Sequence, residues 1–142
     1  MPLSVRRCLT EEDYAAMQRV LGEARAASPH STIHPGDLDW WRFYLLSAYA
    51  WPEIAFLAEA GGELVGWALF SPHLGAFDCF VRPATRTGPH WGALLDWAIE
   101  RADTLARERG AAAVSTWWVF DDDTAWQALL RARGFAPDPG HA

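Results

Sequence analysis

An α/β fold, with a mixed central sheet flanked by helices, is predicted by three features of this 142-residue sequence. Residues 91–109 place Trp91, Leu94, Leu95, Ala98, Ile99, Ala102 and Leu105 at helical spacing, so one long face must be buried. Three β-rich runs precede it, at 54–58, 64–70 and 77–81, the first two joined across Gly61-Gly62. A further apolar run, 112–120, follows the helix and reads as a buried strand. Strands on both sides of a long helix call for a sheet covered by helices.

The remaining elements follow in chain order. Residues 3–8 read as a first strand. Thr10 then caps a helix whose first turn holds Glu11, Glu12 and Asp13, where acids suit the helix dipole. Met17, Val20, Leu21 and Ala24 continue its apolar stripe. A loop at 27–36 contains Pro29 and Pro35, and Asp37 starts a second helix with Leu38, Trp41, Leu45 and Ala48 on one face. Gly110 ends the long helix behind Arg107 and Arg109. Asp121, Asp122 and Asp123 open a last helix that runs through Arg133; Gly134 closes it and Phe135 packs behind. With no internal repeat and no linker, one domain over residues 1–142 is expected.

Composition narrows the function classes. The net charge is -6, from 12 basic and 18 acidic side chains, and the basic residues are scattered. A nucleic-acid binder needs a basic face, so no nucleic-acid partner is expected. A mildly acidic surface favours a cationic amine, though weakly. Cys8 and Cys79 are too few for a disulfide framework and fit a reducing compartment. No apolar run approaches the roughly 20 residues of a membrane span, and the first residues lack a signal-peptide core. A cytoplasmic protein without a membrane partner is therefore expected.

Several side chains admit both a chemical and a plain reading. The nine tryptophans, including the pairs Trp40-Trp41 and Trp117-Trp118, read as core and interface packing. His30 and His34 have the spacing of a helical metal pair, but Pro29 and Pro35 break a helix there and no third ligand is evident, so no metal is expected. The three aspartates at 121–123 read as capping groups. Cys79 reads as a small strand residue rather than a nucleophile.

Three segments carry a resemblance to a known family. Residues 5–13, Val-Arg-Arg-Cys-Leu-Thr-Glu-Glu-Asp, are similar to the first strand and helix start of the GCN5-related N-acetyltransferase (GNAT) superfamily. Residues 81–86, Val-Arg-Pro-Ala-Thr-Arg, resemble its V-x-P-x-x-R segment, and residues 129–135, Leu-Leu-Arg-Ala-Arg-Gly-Phe, its closing L-Y-x-K-x-G-F. The resemblance implies acetyl-CoA as co-substrate and a small-molecule or peptide amine as acceptor, attacked directly without a covalent enzyme intermediate. It implies a loop, Arg86, Thr87, Gly88, Pro89, His90, Trp91 and Gly92, that leads a helix N-terminus toward a pyrophosphate. It implies a bulged strand at Cys79, Phe80 and Val81 whose backbone pairs with pantetheine and whose N–H polarises the thioester carbonyl. Asp78 would be the base, or would orient the amine. The first two helices would build the acceptor pocket, where Trp40, Trp41, Tyr44 and Tyr49 lie. A homodimer is allowed.

The sequence also departs from the family. Its usual loop is R-x-x-G-x-G/A; counted from Arg86, Pro89 and Trp91 stand at the glycine positions, with Gly88 and Gly92 each one step out of register. Proline has no N–H to offer a phosphate. Leu130 stands where many members place a tyrosine acid, and the further strand expected after Phe135 has little chain to form it. These departures motivate a second reading, a non-catalytic GNAT-like binding or interaction module, such as the degenerate half of a tandem protein.

Overall fold

The computed structural model describes residues 2–29, 32–110 and 113–137. The elements are β1 (Leu3–Arg7), α1 (Glu11–Ala27), α2 (Pro35–Trp40), α3 (Trp51–Ile54), β2 (Ala55–Ala60), β3 (Glu63–Ser71), β4 (Ala76–Val81), α4 (His90–Glu108) and α5 (Thr124–Arg131). The strands form one antiparallel sheet in the order β1-β2-β3-β4. Side chains alternate along β3, so its two faces bury against different helices. Trp67 lies against α1, its indole N–H donating to the Met17 carbonyl at 3.0 Å. Phe70, on the opposite face, meets Trp97 of α4 with ring centroids 6.0 Å apart. The expected α/β architecture, a sheet flanked by helices, is what forms.

Local sequence signals explain most boundaries. Thr10 caps α1 through a capping box: its hydroxyl accepts the Asp13 N–H at 3.0 Å, and the Asp13 carboxylate accepts the Thr10 N–H at 3.3 Å. The β2–β3 turn needs positive φ at Gly61 (61°) and Gly62 (81°), which only glycine adopts without strain. His34 caps α2, its Nδ1 accepting the Gly36 N–H at 2.9 Å. His30, four residues earlier, lies outside the described residues. Among those residues, no helix is long and apolar enough to cross a membrane.

Three expectations are corrected. The second helix does not keep α spacing: after Trp40 the backbone makes a π-helical turn, Trp41–Leu45, closed by the Leu46 N–H on the Trp41 carbonyl at 2.7 Å. The extra residue rotates the stripe, so Leu46 is buried and Ala48 is exposed. The run at 112–120 is not a regular strand. Ala112 lies outside the described residues, and the remainder is extended but joins β4 only through a parallel bridge, Ala76↔Ser115. That bridge is the one parallel pairing of the described sheet. The bulge expected at Cys79, Phe80 and Val81 is also absent. β3 and β4 pair without interruption from Gly66↔Val81 to Ser71↔Ala76, and the register shift falls between β2 and β3, at Ala58/Glu59. Gly66 permits the close β3–β4 contact, since a Cβ there would sit 2.7 Å from the Phe80 carbonyl oxygen.

Candidate active site

The site lies where β4 and the following extended segment part. Phe77 donates its N–H to the Ser115 carbonyl at 2.9 Å. Strand amides alternate in direction, so those of Cys79 and Val81 face the same edge. Beyond Ser115 the chain leaves that edge, and among the described residues no backbone carbonyl takes up those two amides.

Asp78 is what holds the parting segment. Its Oδ1 accepts the Thr116 hydroxyl at 3.1 Å, the Trp117 N–H at 3.1 Å and the Trp118 N–H at 3.0 Å. The side chain thus replaces the ladder that a paired strand would have supplied. Burial pushes the Asp78 carboxyl up to about 7, against the opposing pull of the Trp118 and Trp117 amides and the Thr116 hydroxyl. Its Oδ2 takes no hydrogen bond among the described residues and is free to carry the proton. The Cys79 thiol beside it is driven well above its usual range, mainly by burial, which fits a packed strand residue rather than a nucleophile.

The loop after β4 is a short 3₁₀ turn, Pro83–Thr87, followed by Gly88 and Pro89. Thr87 donates its hydroxyl to the Ala84 carbonyl at 3.0 Å, and Gly88 donates its N–H to the Thr85 carbonyl at 3.3 Å. Both are exposed, as is Pro89. His90, Trp91 and Gly92 form the first turn of α4, whose first internal bond runs from the Ala93 N–H to the Pro89 carbonyl at 3.2 Å. Their three amides therefore have no partner within the helix and stand at the positive end of its dipole. The Gly92 carbonyl accepts from Arg133 at 3.4 Å.

Side chains occupy the space in front of these donors. Trp91 is 5% exposed and stacks on Trp126 of α5, rings 5.5 Å apart and 11° from parallel. The Arg86 guanidinium lies 4.5 Å over the Trp91 ring and makes two hydrogen bonds, each 2.8 Å, to the Asp123 carboxylate. Asp123 also accepts the Trp126 N–H at 3.2 Å and so caps α5, the role expected of it. What remains between Thr32, Cys79, Val81, Trp91 and Trp118 is a cavity of about 20 Å³. That is room for about one water. The Thr32 hydroxyl borders it, buried and without a partner among the described residues.

The structure thus gathers Cys79, Phe80, Val81, Arg86 and Trp91 around one cavity, with His90 and Gly92 in the adjoining helix turn. Thr87 and Gly88 lie on the exposed loop, and Asp78 lies behind β4, bonded to 116–118 rather than lining the cavity. Sequence reasoning missed Thr32, Trp126 and the pairing role of Asp123. Asp123 was visible only as a cap, and nothing local marks Trp126 as the partner of a residue 35 positions earlier. Leu130, at the family's tyrosine position, is buried in the core. In the acceptor region, Trp41 packs against Trp118 at 5.5 Å, while Trp40, Phe43, Tyr44 and Trp117 are exposed.

A sheet that opens at this point, with a helix N-terminus beside it, is the geometry that the resemblance to the GNAT superfamily implies. The comparisons agree. A GNAT phosphinothricin acetyltransferase from Sinorhizobium meliloti, solved in complex with AcCoA, matches with TM-score 0.65 at 16% identity over 96% of this chain and 76% of that one. A ribosomal-protein-alanine N-acetyltransferase from Brucella melitensis matches with TM-score 0.64 at 20% identity, covering 94% and 84%. AAC(6')-Iy, in complex with a bisubstrate analog built on CoA, matches with TM-score 0.58 at 16% identity, covering 96% and 92%. No family model matches the sequence, and no curated protein matches it significantly. This chain has the GNAT fold.

Proposed function

We propose that this chain is an N-acyltransferase that moves an acetyl group from acetyl-CoA to the amine of a small molecule or peptide. The observation that carries the reading is the set of unused main-chain donors: the Cys79 and Val81 amides on the β4 edge and the His90, Trp91 and Gly92 amides at the start of α4. Donors of this kind suit a thioester carbonyl and a diphosphate. The donor set fits acetyl-CoA; the space, closed by Trp91 and Arg86, fits it only after those side chains move.

Acetyl-CoA supplies an activated acyl group whose thiolate leaves without strong acid assistance, which suits a site with Leu130 in place of a tyrosine. A β4 amide would polarise the carbonyl, Arg86 and the α4 amides would hold phosphate, and the proton of the attacking amine would reach Asp78, which lies behind β4, through water rather than by direct contact. A base with a pKa of about 7 gives a rate that rises with pH through that value. The test is thermal denaturation with millimolar acetyl-CoA, since a ligand bound only by the folded state raises its stability with the logarithm of concentration over Kd. A rise in Tm together with release of free thiol in the presence of an amine panel is expected. No shift at millimolar acetyl-CoA refutes the reading.

The closed cavity favours a second reading, a non-catalytic GNAT-like module that binds or interacts without turnover. On that reading Trp91→Gly with Pro89→Gly creates acetyl-CoA binding that the unaltered chain lacks.

A further inference from the structure

We infer that Asp123 is a latch on the cleft, a positioning residue that decides whether Arg86 is available to an anionic ligand. This rests on the proposed acyl-CoA reading for the identity of the ligand, though not for the closure itself.

The Asp123 side chain is only 5% exposed. A buried carboxylate is costly unless paired. Two parallel bonds of 2.8 Å from Arg86 satisfy it, in the fork geometry that a guanidinium offers equally to a carboxylate or a phosphate. The pairing fixes more than one charge. Arg86 so held covers the Trp91 ring, and Trp91 lies flat on Trp126, whose backbone N–H is bonded to Asp123. One carboxylate therefore ties the start of α5, the loop arginine and both indoles into a single closed unit.

Behind that unit lie the free amides of β4 and the Thr32 hydroxyl, polar groups without a protein partner among the described residues. The Arg86 side chain is 36% exposed, so a diphosphate at the α4 N-terminus can reach it, but it gains the two guanidinium N–H groups now given to Asp123 only by drawing them away. When it does, the guanidinium leaves the Trp91 face and the indole loses that cation. Ligand binding and opening are then the same event, and Asp123 lowers affinity by competing for the guanidinium.

The test is Asp123→Asn. Asparagine still accepts the Trp126 N–H as a cap but carries no charge for Arg86. Asp123→Ser, also a good cap, serves should the first variant fold poorly. The probes are coenzyme A and inorganic pyrophosphate, titrated by calorimetry, with hydrogen exchange of a peptide spanning 84–95 as a readout independent of any ligand. Binding of both probes about tenfold tighter than in the unaltered protein is expected, as for one charge-assisted competitor removed. Faster exchange in 84–95 with unchanged protection of α5 is expected alongside it. Arg86→Gln added to Asp123→Asn abolishes the affinity gain. Faster exchange with no binding of either probe by any variant sustains the latch and removes the acyl-CoA reading. Exchange in 84–95 identical to the unaltered protein overturns the latch, whatever coenzyme A does.

Discussion

Asp78→Asn keeps the shape of the side chain and its carbonyl oxygen, which still accepts from Thr116, Trp117 and Trp118, but removes the titrating proton. The Asp78 carboxyl stands at about 7 in the fold against an ordinary value of 3.8. Raising the carboxyl from 3.8 to about 7 corresponds to roughly 4 kcal/mol. The folded pKa lies above the unfolded one, so between these values the folded protein holds the extra proton. Stability from this group is therefore fullest below pH 3.8 and is lost as pH rises to about 7. The asparagine variant lacks that loss. Its amide N–H groups go unpaired where Oδ2 stood, which costs about 1–3 kcal/mol at every pH. The variant is thus less stable than the unaltered protein near pH 4 and more stable by about 1–3 kcal/mol near pH 8. Urea unfolding of both proteins at several pH values measures the difference directly. Asp13, drawn down to about 2 mainly by its bond to Arg6, loses its contribution only as pH falls below 3.8 and so acts outside this window. A difference between the two proteins that stays flat from about pH 4 to 8 refutes the reasoning, and shows that three donors on one oxygen outweigh burial.

Two further substitutions test the local architecture. Leu46→Ala should destabilise by about 2–5 kcal/mol, and Ala48→Leu should fall within about 0.5 kcal/mol of neutral, an order set by the π turn and reversed on uninterrupted α spacing; urea midpoints of the pair decide it. Thr10→Ala removes the hydroxyl arm of the capping box and should cost about 1 kcal/mol, read as a lower Tm with no change in any ligand affinity.

What was legible in the sequence is what local chemistry determines. The Thr10 cap, the Gly61-Gly62 turn, the long α4 stripe and the Asp123 cap each depend on residues within a turn or two, and all appear as read. The π turn escaped because nothing in Leu38, Trp41, Leu45 and Ala48 contradicts α spacing; burial of Leu46 decides it only once the second helix meets the core. The run at 112–120 has strand composition, but Asp78 competes for its amides, and a side chain that substitutes for a ladder leaves no periodic trace. The same holds at the cleft. Read one at a time, Pro89 and Trp91 look like two losses from a phosphate loop. In the fold Pro89 is exposed, whereas Trp91 and its neighbour Arg86 join Asp123 and Trp126 from a second stretch of chain. Trp91 has a stacked indole partner, and Arg86 has a buried carboxylate matched to its guanidinium. On the proposed reading, the strength of that pairing relative to a diphosphate is the quantity on which the function turns.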